Sequence, residues 1–139
     1  MPNTSRFLIL AAGISGALAV AVGAIGAHAL EGYLDAHAME TYTKAATYHF
    51  YHTLALLGVG IYAKHRPSTM LTWSGRLFII GMVLFSGSLY LLALTGIRQL
   101  GMITPLGGVA FIAGWACLVV NEQRTLNSEI GNSPNSVSP

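Results

Sequence analysis

Four apolar stretches, at 7–29, 50–63, 77–94 and 103–120, fill most of this 139-residue chain, with only short polar segments between them. A helix that crosses the hydrocarbon core of a bilayer needs about 20 mostly apolar residues. The first, third and fourth stretches reach that length. The second is short, but helical patterning continues back to about Ala36, and Asp35 suits the N-cap of the longer helix. From Ala36 to Lys64 such a helix measures about 43 Å. That exceeds the hydrocarbon thickness, so its first turns should stand above the membrane or lie along its surface. Composition points the same way: 53% of residues are hydrophobic and 9% charged, where a soluble domain carries about 25% charged residues. So few charges cannot cover a water-facing globule. The expectation is an all-α membrane protein, a bundle of four transmembrane helices spanning about 7–29, 48–64, 77–95 and 104–121. These spans form one domain over 1–124, and the polar segment 125–139 should be a disordered cytoplasmic tail.

Orientation follows from the basic residues at the ends of the spans. Arg6, Lys64, Arg66, Arg76 and Arg124 fall on one side, and only Lys44 and Arg98 on the other. That bias puts both termini in the cytoplasm and the first loop, with Glu31, Asp35 and Glu40, outside. Ala27-His28-Ala29 fits a signal-cleavage pattern, but the apolar run before it exceeds the usual length of a signal core, so the segment reads as a span. A net charge of +2, with no basic cluster longer than Lys64-His65-Arg66, excludes a nucleic-acid footprint. The single cysteine, Cys117, lies in an apolar run and reads as a packing residue. Pro67 and Ser68 break the chain before the third span. Thr104-Pro105 reads as an N-cap followed by proline at the first helical position.

Between helices in lipid, attraction comes from close packing rather than from a hydrophobic drive. The first span carries small residues at helical spacing, Ala12, Gly16, Ala19, Gly23 and Ala27, and the fourth repeats the device with Gly107, Ala110 and Gly114. These rows are the expected contact faces, within one chain or between copies.

Polar groups near a membrane span are candidates for function. His28 ends the first span, and His49 and His52, three residues apart on one helix face, sit where the second span enters the membrane. All three should therefore meet at the outer interface. There they would ligate a transition metal or haem, or serve as interfacial side chains bonded to helix ends among anchoring tyrosines. The second role is the commoner one for such residues, with no cofactor bound. No acidic residue lies inside any span, Ser86-Gly87-Ser88 has no paired general base, and no phosphate loop or nucleophile elbow occurs. An enzyme is not expected. Ser86-Gly87-Ser88 reads instead as a close-packing site or a kink.

Several blocks carry a family likeness: Gly23-Ala24-Ile25-Gly26-Ala27-His28, Tyr48-His49-Phe50-Tyr51-His52-Thr53-Leu54, Ser86-Gly87-Ser88-Leu89-Tyr90-Leu91 and Ile103-Thr104-Pro105-Leu106-Gly107-Gly108. In this order they resemble the YgdD-like small bacterial inner-membrane proteins, the domain of unknown function 423, from about Phe7 to Val120. The resemblance implies a four-span inner-membrane protein and supplies no substrate, reaction or catalytic residue. Three functions stay open. One is a non-enzymatic packing accessory, partnered by itself or by another membrane complex. Another is a metal or haem protein using His28, His49 and His52. The third is a solute or lipid pathway lined by the glycine faces with Ser86, Ser88 and Tyr90.

Overall fold

A computed structural model describes residues 2–131. Every regular element among the described residues is helical, and the helices form four rods. The first is α1 (Pro2–His28) and the second α2 (Ala36–His65). The third joins α3 (Thr69–Gly81), a π-helical stretch (Met82–Gly87) and α4 (Ser88–Thr95) without a break. The fourth is a 3-10 turn (Arg98–Met102) leading into α5 (Thr104–Gly131). Three rods are long and apolar enough to cross a membrane: Asn3–His28, Thr69–Thr95 and Arg98–Gly131. The second, diluted by histidines, threonines and Lys44, is the exception.

Local chemistry sets the rod ends. Asp35 caps α2 as expected, its carboxylate accepting from Ala38 N at 2.8 Å. Ser68 caps α3, accepting from Met70 N at 3.1 Å. Gly96, at φ +71°, closes α4 in the left-handed conformation that glycine adopts without strain. Thr104 is already helical, and its hydroxyl bonds Ser88 Oγ at 2.8 Å instead of capping α5. The tail differs from expectation as well. Residues 125–131 continue α5, with Thr125 and Ser128 hydroxyls bonded back onto the carbonyls of Asn121 and Thr125, and Glu129 reaching Arg66 at 3.4 Å. Polar composition there marks a water-facing helix end. The remainder of the expected tail, 132–139, lies outside the described residues.

α1 lies antiparallel along α2, and its seam has a seven-residue repeat. Ser5, Ala12, Ala19 and Gly26 are all buried, with Ser15 and Val22 between them. That is the spacing of a left-handed helix pair. The expected row through Gly16, Gly23 and Ala27 therefore coincides with the seam only at Ala12 and Ala19. Gly16 is half-buried near Thr53, a Cβ on Gly23 would meet nothing within 4 Å, and Ala27 is exposed. A sustained contact follows a period of 3.5 residues, and the row drifts off it. At one end of the pair, Gly60 of α2 admits Ile9, whose Cγ1 would lie 2.9 Å from a Cβ at that position.

The other strong contact joins the third and fourth rods. In this contact Gly107, Ala110 and Gly114 are buried. A Cβ on Gly107 would collide with the backbone of Phe85, and one on Gly114 would lie 2.7 Å from the Phe78 ring. From the other side, Gly81 makes room for Phe111. Leu8, Leu56, Leu71 and Phe78, all 0% exposed, fill the centre where α1, α2 and α3 approach. α2 packs on α1 and the third rod and meets α5 through side chains such as His52 on Phe111, whereas α1 is held almost wholly by α2 and scarcely reaches α3. A groove therefore remains between α1 and the third rod.

Candidate functional site

The antiparallel register of α1 on α2 decides where the histidines lie. Tyr42 donates to Val22 O at 2.7 Å, with its ring seated on Gly26, near the end of α1. His49 meets Ser15, midway along α1. His28 closes α1 and is exposed. The expected convergence of His28, His49 and His52 at one level is therefore not what the fold produces. No cluster of three or more His, Cys, Asp or Glu side chains with the geometry to hold a metal ion occurs among the described residues.

His49 and His52 also part company sideways. His52, 7% exposed, turns toward the third and fourth rods and stacks on Phe111, with ring centroids 3.4 Å apart and planes 11° from parallel. Its Nδ1–H donates to Tyr48 O at 2.8 Å, which leaves Nε2 to accept from the Trp115 indole N–H at 3.4 Å. Both nitrogens are thus occupied and the neutral tautomer is fixed. Phe78 meets this ring edge-on, and Tyr48 and Phe85 complete an aromatic layer. The layer is a closed packing unit.

His49 turns the other way, into a chain of polar groups crossing three rods. Its Nδ1 lies 3.3 Å from the Tyr90 hydroxyl of α4 and its Nε2 lies 3.0 Å from Ser15 Oγ of α1. Ser15 Oγ is 2.6 Å from Thr53 Oγ1, and both hydroxyls reach the Met82 sulfur, at 3.4 and 3.5 Å. Two proton arrangements satisfy this chain. In one, donation runs from Tyr90 through His49 and Ser15 to Thr53, which donates to sulfur. In the other, Thr53 donates to Ser15, Ser15 to Nε2, and Nδ1–H to the tyrosine oxygen. The second frees the Tyr90 O–H to donate elsewhere. Only a bond to thioether sulfur, a weak acceptor, is given up in exchange.

This chain borders the groove between α1 and the third rod. The groove measures about 670 Å³ and is overwhelmingly apolar, with Ile14, Leu18, Ile79 and Val83 among its walls and Ser15, His49, Ser86 and Tyr90 as its polar members. Ser86 is 1% exposed, and its hydroxyl has no hydrogen-bond partner. Leaving a buried hydroxyl unpaired costs about 1–3 kcal/mol. It sits within the π-helical stretch, a winding that recurs at functional sites. Met82, Ser86 and Tyr90, spaced by four, all line this groove. Ser88, by contrast, is bonded to Phe85 O and Thr104, away from the groove.

Sequence reasoning picked out Ser86, Tyr90 and His49 separately but missed Ser15 and Thr53, which extend the polar chain from His49. Ser15 was detectable as a hydroxyl standing alone in the middle of an apolar span. Thr53 and Met82 gave no local signal.

Comparison with known proteins places the chain. The family model described as "Protein of unknown function (DUF423)" matches residues 22–108. The UPF0382 membrane protein SERP0230 of Staphylococcus epidermidis is 50% identical over 114 residues, covering 82% of this chain and 92% of that protein. The UPF0382 inner membrane protein YgdD of Escherichia coli is 45% identical over 121 residues, covering 87% of this chain and 92% of that protein. No solved structure matches. An all-helical chain with three membrane-length apolar rods, similar over most of its length to proteins named for the membrane, belongs to the DUF423 (UPF0382) family of membrane proteins.

Proposed function

We propose that this protein is a non-enzymatic, four-span inner-membrane protein that holds a lipid-phase molecule in the groove between α1 and the third rod. The observation that carries the reading is the groove itself, about 670 Å³ and apolar but for Ser15, His49, Ser86 and Tyr90. In this reading α2 is the fourth span. It accompanies α1 from the Ile9 level to the Val22 level, so if α1 crosses the bilayer, α2 crosses beside it. Its polar side chains are tolerable there because Tyr42, His52 and Thr53 are buried against protein. Ser15 and His49 would then lie near the middle of the bilayer, at a depth lipid tails occupy. Both termini are cytoplasmic, by the distribution of Arg and Lys.

Two experiments test this. Protein purified in mild detergent should retain a stoichiometric lipid-phase molecule on organic extraction, and Ala11→Phe, which fills the groove wall, should release it. Equal yields from the two proteins would refute the groove. In a Cys117→Ala background, an impermeant thiol reagent applied to intact cells should label Tyr33→Cys and spare Asn3→Cys. The reverse pattern would invert the topology.

A further inference from the structure

We infer that a second pocket, between the first turns of α1 and the last turns of α2, binds an anionic phospholipid through Arg6 and Lys64. It is separate from the groove, with which it shares only Leu10. The register of the antiparallel pair builds it. Ile9 packs on Gly60. Four residues toward the same end of the pair, about 6 Å along the axis, Ser5 and Lys64 therefore stand level. Arg6 follows Ser5, and the two cations border a pocket of about 530 Å³ whose apolar walls include Ile9, Leu10 and Ala63. Arg6 lies near the start of the apolar rod Asn3–His28, and Ile9 and Leu10 lie one turn deeper. Charge at the membrane boundary with an apolar wall beneath it is the order of groups in a phospholipid.

Neither cation is spent within the fold. The ion pairs among the described residues are Lys44 with Glu40 and Arg66 with Glu129. At this end of the bundle, Glu122 is taken by Tyr62 and Asn121, and Glu129 by Arg66. The remaining acids, Glu31, Asp35 and Glu40, belong to the far end, around the start of α2. Helix dipoles do not decide the balance, because α1 presents its N-terminus here and α2 its C-terminus, with opposite sign. The pocket thus holds two positive charges without a carboxylate partner over an apolar floor. A phosphodiester offers an oxygen to each cation, and its acyl chains cover Ile9 and Leu10. A zwitterionic lipid brings its own cation and gains less. Inorganic phosphate meets the charges but leaves the apolar wall uncovered. Basic pockets between membrane helices at the cytoplasmic side select anionic headgroups in this way, and on the orientation proposed above the pocket opens at the inner leaflet.

The test is lipid retention by the full chain in nanodiscs of equimolar phosphatidylglycerol and phosphatidylcholine. Such discs expose both leaflets, so the result does not depend on orientation. Protein released from the disc in the mass spectrometer should keep one phosphatidylglycerol about tenfold more often than one phosphatidylcholine. Arg6→Gln combined with Lys64→Gln should remove the preference. Arg76→Gln combined with Arg124→Gln takes the same charge from the same end but outside the pocket, and should leave the preference intact. All four side chains are exposed, so both double variants keep the fold. Ala11→Phe, which alters the groove and not this pocket, should also leave it intact. No preference in the wild type, or an equal loss in the two double variants, would overturn the inference. So would its loss in Ala11→Phe, which would place the lipid in the groove. Loss on exchanging chloride for inorganic phosphate at constant ionic strength would overturn it too, by making free phosphate the ligand.

Discussion

His49 and His52 are three residues apart on one helix and do opposite work. His52 faces α5, where both ring nitrogens are committed, one face stacks on Phe111, and glycines admit aromatic rings edge to edge. His49 faces α1 beside the groove that separates α1 from the third rod, and its partners can exchange the direction in which they donate. One side of α2 is a finished interior. The other is an interior left open along the third rod. The contrast teaches that a histidine inside a membrane protein is not a functional signal by itself. The signal is whether its surroundings leave any hydrogen-bonding capacity unspent.

The contrast can be broken most forcefully at the glycines. Gly107→Val should push a branched side chain into the Phe85 backbone, costing more than about 3 kcal/mol, whereas Gly23→Val, with open space around it, should stay within about 0.5 kcal/mol. Thermal melts followed by circular dichroism distinguish the two, and similar melting temperatures would erase the asymmetry. His52→Ala comes next. Loss of a stacked, doubly bonded ring from the closed side should destabilise by about 2–4 kcal/mol, and a neutral result would mean that the aromatic layer repacks freely. His49→Gln should cost only about 1 kcal/mol, because the amide can still meet Ser15 beside the open groove. A loss as large as that of His52→Ala would make the open side structural after all. The smallest effect belongs to the surface. Arg66→Ala removes an exposed ion pair to Glu129 and should change stability by less than about 0.5 kcal/mol.

Much of the fold could be read from the chain because its signals are local. Asp35 caps as a short acid before a helix should, Pro67 and Ser68 separate rods, and the apolar runs are as long as a bilayer is thick. The small residues of the fourth rod were recognisable because there the row and the contact coincide. What could not be read was register. The level of His49 depends on how far α2 slides along α1, and that is set by Gly60 receiving Ile9 and Gly26 receiving Tyr42, contacts between residues distant in sequence. Counting inward from the apparent edge of the apolar run put His49 and His52 level with His28, whereas His49 meets Ser15, midway along α1. Ser86-Gly87-Ser88 announced an irregularity, but a run of i→i+5 bonds leaves no mark in composition.

That stretch of wider winding also sets an angular offset along the third rod. Below it, Phe78 points to His52 and Trp115; above it, Tyr90 points to His49 and Tyr42. One extra residue per turn amounts to about 100° of rotation about the helix axis. The two halves of the rod are thus clocked to serve different neighbours, as the bit and the bow of a key are set at a fixed angle. Deleting Leu84 should restore regular α-winding and swing Tyr90 away from His49 while Phe78 keeps its seat. A change of one residue in length, with every groove side chain still present, would then be enough to part Tyr90 from His49.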